Sequence, residues 1–336
     1  MAKIGIIGSG SWGIALSALL HKNGHQVTVW SAFGREVDSL KETRQLKTLP
    51  ELVLPEDMEF TADLKTAMED KSLLVTAVPS IYVRETAVKM RPYCRDGQIV
   101  VDVAKGIEEH TLMTLSGILG QELPMANVAV LSGPSHAEEV SRGLPTTCVV
   151  GAKDQKTAEY IQSLFMSPVF RVYTSPDILG IELGGALKNV VALAAGIADG
   201  LGYGDNTKAA LITRGIYEIG RLGMKMGGNF ETFCGLSGIG DLIVTCASMH
   251  SRNRRAGILI GQGYSMQEAM DEVQMVVEGV YSAKAGLELA KKYQVPMPII
   301  SEVNQVLFDG KPARDAVNDL MLRDKSDESA AIPWNS

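Results

Sequence analysis

The sequence predicts an α/β domain built on a doubly wound parallel sheet over residues 1–178, followed by an all-α domain over 179–336. Three observations carry this. Short apolar, β-branched runs recur through the first 150 residues and alternate with longer helical patterns. A glycine-rich turn separates the first run from the first helix. Beyond about Ser175 strand-like runs become rare and Ala/Gly-rich helical periodicity takes over.

Taken in order, Ile4–Ile7 is the first strand-like run, followed by a turn, a helical stretch from Gly13 to Lys22, and a second run at Val27–Trp30. Further runs lie at Leu73–Val78, Ile99–Val103, Val128–Leu131 and Thr147–Val150. Continuous apolar runs of this length, spaced by amphipathic segments, suit a parallel sheet covered on both faces. The handedness and adjacency of crossovers then favour double winding. Ser175-Pro176 reads as an N-cap followed by proline in the first helical turn. Residues 177–200 read as a helix buried on most sides, and Thr207–Leu222 as a second helix. Ser265 with Glu268 makes a capping-box start for a third. The tail from Ser326 is polar and is expected to be loose.

At 336 residues the chain is long enough for two cores, and 46% hydrophobic with 21% charged residues is an ordinary globular balance. No stretch of 18 or more apolar residues is present, which argues against a membrane span. Met1-Ala2-Lys3 leads straight into a short apolar run, unlike a signal peptide, so a cytoplasmic protein is expected. The net charge of −7 argues against nucleic acid as a partner. An anionic ligand therefore needs a local cluster of Lys and Arg. Cys94, Cys148, Cys234 and Cys246 show no CxxC pairing and read as reduced small hydrophobes. The five histidines form no HxxxH or HExxH group, so no metal is expected.

The turn Gly8-Ser9-Gly10-Ser11-Trp12-Gly13 fits GxGxxG in its proper context, directly after a strand and at the opening of a helix. Glycines there serve the tight turn, the close approach of a pyrophosphate and helix–strand packing. The helix N-terminus supplies unpaired N–H groups and a favourable dipole. The first domain is therefore expected to be Rossmann-type, with Gly8, Gly10 and Gly13 at the cofactor. Cofactor choice turns on the end of the second strand. No acid follows Trp30 until Glu36, while Ser31 and Arg35 suit a 2′-phosphate at least as well as a free ribose. NADP or NAD is expected, with NADPH favoured.

Three segments carry candidate chemistry. Lys105 follows the run Ile99–Val103, at the carboxyl edge where ligands bind in such sheets. Leu131-Ser132-Gly133-Pro134-Ser135 follows the next run at the same edge. Lys188 and Asn189 sit within an apolar helical run, where desolvation is costly without partners and depresses a lysine pKa. Lys188 is thus a candidate general base for a substrate hydroxyl. Asp241, after Gly235-Leu236-Ser237-Gly238-Ile239-Gly240, is placed to orient Lys188 or to accept from a substrate hydroxyl, and Ser251-Arg252-Asn253-Arg254-Arg255 is a candidate anion receptor. Each has a plain structural alternative: a surface lysine, a helix cap, a solvated basic turn.

With these segments in this order, the chain resembles the NAD(P)-dependent glycerol-3-phosphate dehydrogenases of the bacterial type, from Gly8 to about Arg314. The resemblance rests on Gly185-Ala186-Leu187-Lys188-Asn189, Leu131-Ser132-Gly133-Pro134-Ser135, Gly240-Asp241-Leu242 and Ser251-Arg252-Asn253-Arg254-Arg255. It implies a helical domain like the C-terminal domain of 6-phosphogluconate dehydrogenase. It also implies reversible interconversion of dihydroxyacetone phosphate and sn-glycerol 3-phosphate, feeding phospholipid synthesis. By position, Lys188 matches the proton-transferring lysine and Lys105 its partner at substrate and cofactor. Asn189, Asp241 and Thr245 match polar positions around the reacting carbon. Arg252 and Asn253 match the phosphate grip, with Arg252 also near the cofactor, and Gly133, Ser135 and Ser251 match further substrate contacts. Ser11, Trp12, Ala137, Val276 and Glu278 match cofactor contacts. Ala32 departs from the His or Arg common there, which leaves Phe33 or Arg35 as substitutes. Two rivals stay open: a related two-domain hydroxy-acid or sugar-acid dehydrogenase, and a non-catalytic NAD(P)-binding regulator. A homodimer is one assembly open to the chain.

Overall fold

The computed structural model describes residues 1–325, 327 and 328. Apart from Asp327 and Glu328, the tail expected to be loose lies outside the described residues. The strands are β1 (Lys3–Ile7), β2 (Gln26–Trp30), β3 (Glu59–Thr61), β4 (Leu73–Thr76), β5 (Ile99–Asp102), β6 (Asn127–Ser132), β7 (Thr146–Ala152) and β8 (Phe170–Ser175). Between them run α1 (Ser11–Lys22), α2 (Gly34–Thr43), α3 (Leu64–Met68), α4 (Val83–Met90), α5 (Leu115–Glu122), α6 (Ala137–Ser141) and α7 (Gln155–Phe165). They form one eight-stranded sheet in the order β3-β2-β1-β4-β5-β6-β7-β8. The strand order reverses between β1 and β4, and this switch point leaves a crevice beyond the carboxyl ends of the strands.

Two features depart from the sequence expectation. β7 runs antiparallel to β6 and parallel to β8, so the sheet is mixed rather than wholly parallel. Strand direction leaves no mark on hydropathy, because β7 is as buried as its parallel neighbours. β3 and β8 also went unpredicted. β3 has only three residues, and β8 alternates buried Phe170 and Val172 with exposed Arg171 and Tyr173, an edge pattern rather than a continuous apolar run.

The helices that follow are α8 (Ile178–Gly200), α9 (Asp205–Met226), α10 (Phe230–Phe233), α11 (Asp241–Ala247), α12 (Arg252–Gly261), α13 (Met266–Val273), α14 (Glu278–Tyr293), α15 (Pro298–Phe308) and α16 (Ala313–Met321). α8 is capped by Asp177, whose carboxylate accepts from Gly180 N at 2.9 Å, and not by Ser175, which closes β8. A carboxylate three residues before the N–H outcompetes a serine already committed to a strand. The capping box of Ser265 and Glu268 forms as expected.

α8 is the axle of this half. It is long and apolar enough to cross a bilayer, but 78% of its apolar window is buried inside the protein. Glycines let its neighbours touch its backbone. A Cβ at Gly196 would lie 2.2 Å from Arg254 O, and one at Gly257 would lie 2.3 Å from Leu193 O. Gly200 and Gly261 repeat the arrangement one turn on, so α8 and α12 meet backbone to backbone. That seam brings the start of α12 beside Lys188 and Asn189. Of the cysteines, Cys148 and Cys246 are buried as expected, whereas Cys94 is half-buried and Cys234 exposed.

Candidate active site

The fingerprint turn has the shape a pyrophosphate needs. Gly8 has φ +127°, and a Cβ there would lie 2.6 Å from Ala77 O. A Cβ at Gly13 would lie 2.2 Å from Gly8 O, whereas one at Gly10 would meet nothing within 4 Å, which leaves an open approach. Gly10 caps α1 without a side-chain hydrogen bond, so the first N–H groups of the helix stay available to an anion. Trp12 Nε1 is buried with no partner. These features fit a dinucleotide. Ser11 Oγ pairs with Thr48 Oγ1 at 2.7 Å. Ala137 opens α6 in the same core cluster as Trp12. Phe33 and Arg35 are exposed, and the side chain of Arg35 makes no hydrogen bond or ion pair among the described residues.

Glu278 opens α14 and reaches across to the loop after β4, accepting from Ser80 N at 3.0 Å and from Ser80 Oγ. Burial raises its pKa, against the lowering effect of the Ser80 bonds and of Arg252. Glu278 thus clasps the helical half to the sheet edge, with half-buried Val276 two residues before it.

The chemistry side converges on one carboxylate. Lys188 points from the buried face of α8 and is 5% exposed; Asp241, at the start of α11, is 1% exposed. The turn Leu236–Gly240 puts it there, with Gly238 so close to Phe233 that a Cβ would lie 2.1 Å from its carbonyl oxygen. Lys188 Nζ donates to Asp241 Oδ1 at 2.5 Å and to Thr245 Oγ1 at 2.6 Å. Lys105 Nζ donates to Asp241 Oδ2 at 2.7 Å, and to Gly133 O and Ser135 Oγ at 3.0 Å each. One carboxylate therefore holds two ammonium groups, one from each half of the chain. Burial pushes Lys188 down to about 8, with Asp241 opposing and Lys105 reinforcing the shift. Burial alone would raise Asp241, but the two lysines together hold it below its ordinary value. Two cations on one buried anion leave a net positive site for a developing alkoxide.

Beside this group, Asn189 Oδ1 accepts from Asn253 Nδ2 at 2.9 Å, and Asn253 Oδ1 accepts from Gly279 N at 2.8 Å. Asn253 is thus buried and committed to joining α8, α12 and α14. Ser251 caps α12, its Oγ accepting from Arg254 N at 3.2 Å. The expected receptor of three arginines is corrected. Arg254 is tied to Asp199 at 2.8 Å and to Ala247 O at 2.7 Å, because an acid one helix away outcompetes solvent. Arg255 is exposed. Half-buried Arg252 makes no hydrogen bond or ion pair among the described residues and is the arginine left for an anion.

Sequence reasoning missed three residues here, Asp102, Glu182 and His136. Asp102 ends β5 and lines a small cavity with Lys105, Ser132, Glu182 and Gly185. Burial pushes its carboxyl up to about 8, despite Thr76 Oγ1 donating at 2.7 Å. Burial likewise raises Glu182, which accepts from Ser116 N at 2.8 Å and from Ser116 Oγ at 2.5 Å. Ser132 Oγ and His136 Nε2 are buried without partners. The missed signal was position: Asp102 stands inside the run Ile99–Val103, one residue before its end, and lies beside Glu182 and Gly185 of α8.

A pyrophosphate turn, a crevice at the carboxyl edge and a buried lysine–carboxylate–lysine group define a two-domain, nicotinamide-dependent oxidoreductase. Residues 3–158 match the N-terminal domain, and residues 177–318 the C-terminal domain, of NAD-dependent glycerol-3-phosphate dehydrogenase. The chain belongs to that family. It is 62% identical over 335 residues to a glycerol-3-phosphate dehydrogenase (NAD(P)+) of Agathobacter rectalis, covering 99% of this chain and 100% of that protein. A namesake from Fusobacterium nucleatum is 62% identical over 328 residues, 97% of this chain and 98% of that protein. The crystal structure of glycerol-3-phosphate dehydrogenase from Coxiella burnetii superposes with a TM-score of 0.91 at 35% identity, covering 96% of this chain and 99% of that one. A D-mandelate dehydrogenase, at 15% identity and a TM-score of 0.63, shares the fold alone.

Proposed function

We propose that this protein reversibly reduces dihydroxyacetone phosphate to sn-glycerol 3-phosphate with NAD(P)H, as a cytoplasmic supplier of glycerophospholipid synthesis. The observation that carries the reading is the Lys188–Asp241–Lys105 group at the carboxyl edge, with Arg252 uncommitted beside it. When bound, the nicotinamide supplies or accepts the hydride. In reduction, the Lys188 ammonium donates its proton to the carbonyl oxygen as charge develops there, and Lys105 stabilises the same charge. Asp241 keeps both ammonium groups charged and aimed, and Thr245 fixes the direction of Lys188. In oxidation, neutral Lys188 takes the hydroxyl proton. Arg252 holds the phosphate, whose binding energy orients the carbonyl. Residues 1–178 hold the dinucleotide in this reading, and residues 179–336 supply the proton donor and the anion grip.

The experiment compares turnover with dihydroxyacetone phosphate and with unphosphorylated dihydroxyacetone, each with NADH and with NADPH. Turnover confined to the phosphorylated substrate is expected. Equal use of dihydroxyacetone would remove the phosphate from the reading, and no turnover despite nucleotide binding would support a regulator instead.

A further inference from the structure

We propose that Glu36 reads the adenosine ribose of the dinucleotide and sets this enzyme's preference for NAD(H) over NADP(H). The inference rests on the reading that the fingerprint turn holds a dinucleotide. In such folds an acid at the end of the second strand accepts from the ribose hydroxyls. Here that place belongs to Ser31, which cannot supply a charge. Glu36 enters instead from the first turn of α2. Its Oε2 accepts from Ser31 Oγ at 2.5 Å and from Ser9 Oγ at 2.6 Å. Both serines are buried, and Ser9 stands between the first two glycines of the fingerprint. The carboxylate is thereby pinned between the phosphate turn and the end of β2, which is where the adenosine ribose lies when pyrophosphate occupies that turn. Oε1 makes no hydrogen bond among the described residues, so one acceptor remains for a ribose hydroxyl.

The charge decides the preference. No Lys or Arg among the described residues pairs with Glu36, and the N-terminal end of α2 favours an anion at this position. A 2′-hydroxyl donates to such a carboxylate; a 2′-phosphate is repelled by it. Arg35, whose presence in the sequence favoured NADPH, is exposed and pairs with neither Glu36 nor another described residue. In this reading the charge at Glu36, and not Arg35, sets the preference.

The test is titration of the full chain with NADH and with NADPH, read as dissociation constants by calorimetry, for the natural protein and for Glu36→Gln. Glutamine keeps an acceptor for the two serines and removes the charge. The natural protein should bind NADH at least about tenfold tighter than NADPH, a gap of about 1.4 kcal/mol. Glu36→Gln, with its melting temperature retained, should bring the two constants within about threefold, since only the charge term is removed. The gap in the natural protein should also narrow as salt rises, because the repulsion is screened. That arm stands even where the variant does not fold. Equal or tighter NADPH binding by the natural protein, an unchanged ratio in a folded Glu36→Gln, or a gap indifferent to salt would each overturn the role of Glu36. Failure of both nucleotides to bind would instead overturn the dinucleotide reading on which it rests.

Discussion

Lys188 carries two demands at once: it must lie out of water to be tunable, and it must keep an anion to stay usable. Burial supplies the first and Asp241 the second, leaving its pKa at about 8. The sign of the pH dependence follows for each direction. Reduction needs the ammonium, so kcat/KM for dihydroxyacetone phosphate should fall as pH rises through about 8. Oxidation needs the amine, so kcat/KM for glycerol 3-phosphate should rise over the same interval. Lys188→Ala should lower turnover about 10²-fold or more and erase both breaks, as initial rates across pH will show. Near-normal turnover in that variant would remove the role. Much of this group is legible in the sequence, because a lysine inside a long apolar helix is conspicuous and Asp241 follows a glycine-rich turn. Asp102 and His136 are not legible. One reads as a strand-end charge and the other as a loop residue, until the packing of α8 and α11 encloses them.

At the scale of elements, the α8–α12 seam does the positioning. Four glycines let two helix backbones touch, and the contact fixes the start of α12, with Ser251, Arg252 and Asn253, against Lys188 and Asn189. Gly257→Ala places a methyl 2.3 Å from Leu193 O, a backbone atom that cannot swing aside. The helices must separate, at a cost of about 1–3 kcal/mol. Melting temperature should drop, and KM for the phosphorylated substrate should rise more than kcat falls, because Arg252 moves while Lys188 keeps Asp241. A variant with unchanged KM and lowered stability would show that the seam holds the fold without aiming the arginine. The seam was only half visible beforehand: Gly196 and Gly200 read as part of a buried helix, but nothing in the sequence pairs them with Gly257 and Gly261. Caps were easier where the motif is local, as at Ser265 and Glu268. They were harder where a serine and an aspartate two residues apart compete, as at Ser175 and Asp177.

At the scale of the whole molecule, the two halves meet over buried carboxyls as well as over Lys105 and Lys188. The fold class was legible because each half has its own periodicity. The reversal of β7 was not, since strand direction leaves no mark on hydropathy, and the depth of the joint was not, since it arises only when the halves dock. Asp102 records that docking. It lies 2% exposed beside Glu182 of α8, and its carboxyl stays protonated up to about 8, far above the unfolded value near 3.8. A raised carboxyl pKa means that the folded state binds the proton more tightly than the unfolded chain. Stability from this site is therefore full at acid pH and is lost as pH rises from about 4 toward 8. Asp102→Asn keeps an oxygen for Thr76 Oγ1 and Ala104 N and has no proton to lose. Other titrating groups contribute equally to both proteins, so the difference in melting temperature isolates the site. That difference should be small near pH 4 and should grow in favour of the asparagine variant toward pH 8, corresponding to a few kcal/mol of stability on the scale of about 1.4 kcal/mol per pH unit. A difference that stays flat across that range would mean that Asp102 is ionised in the folded protein and that the joint between the halves is wetter than its packing indicates.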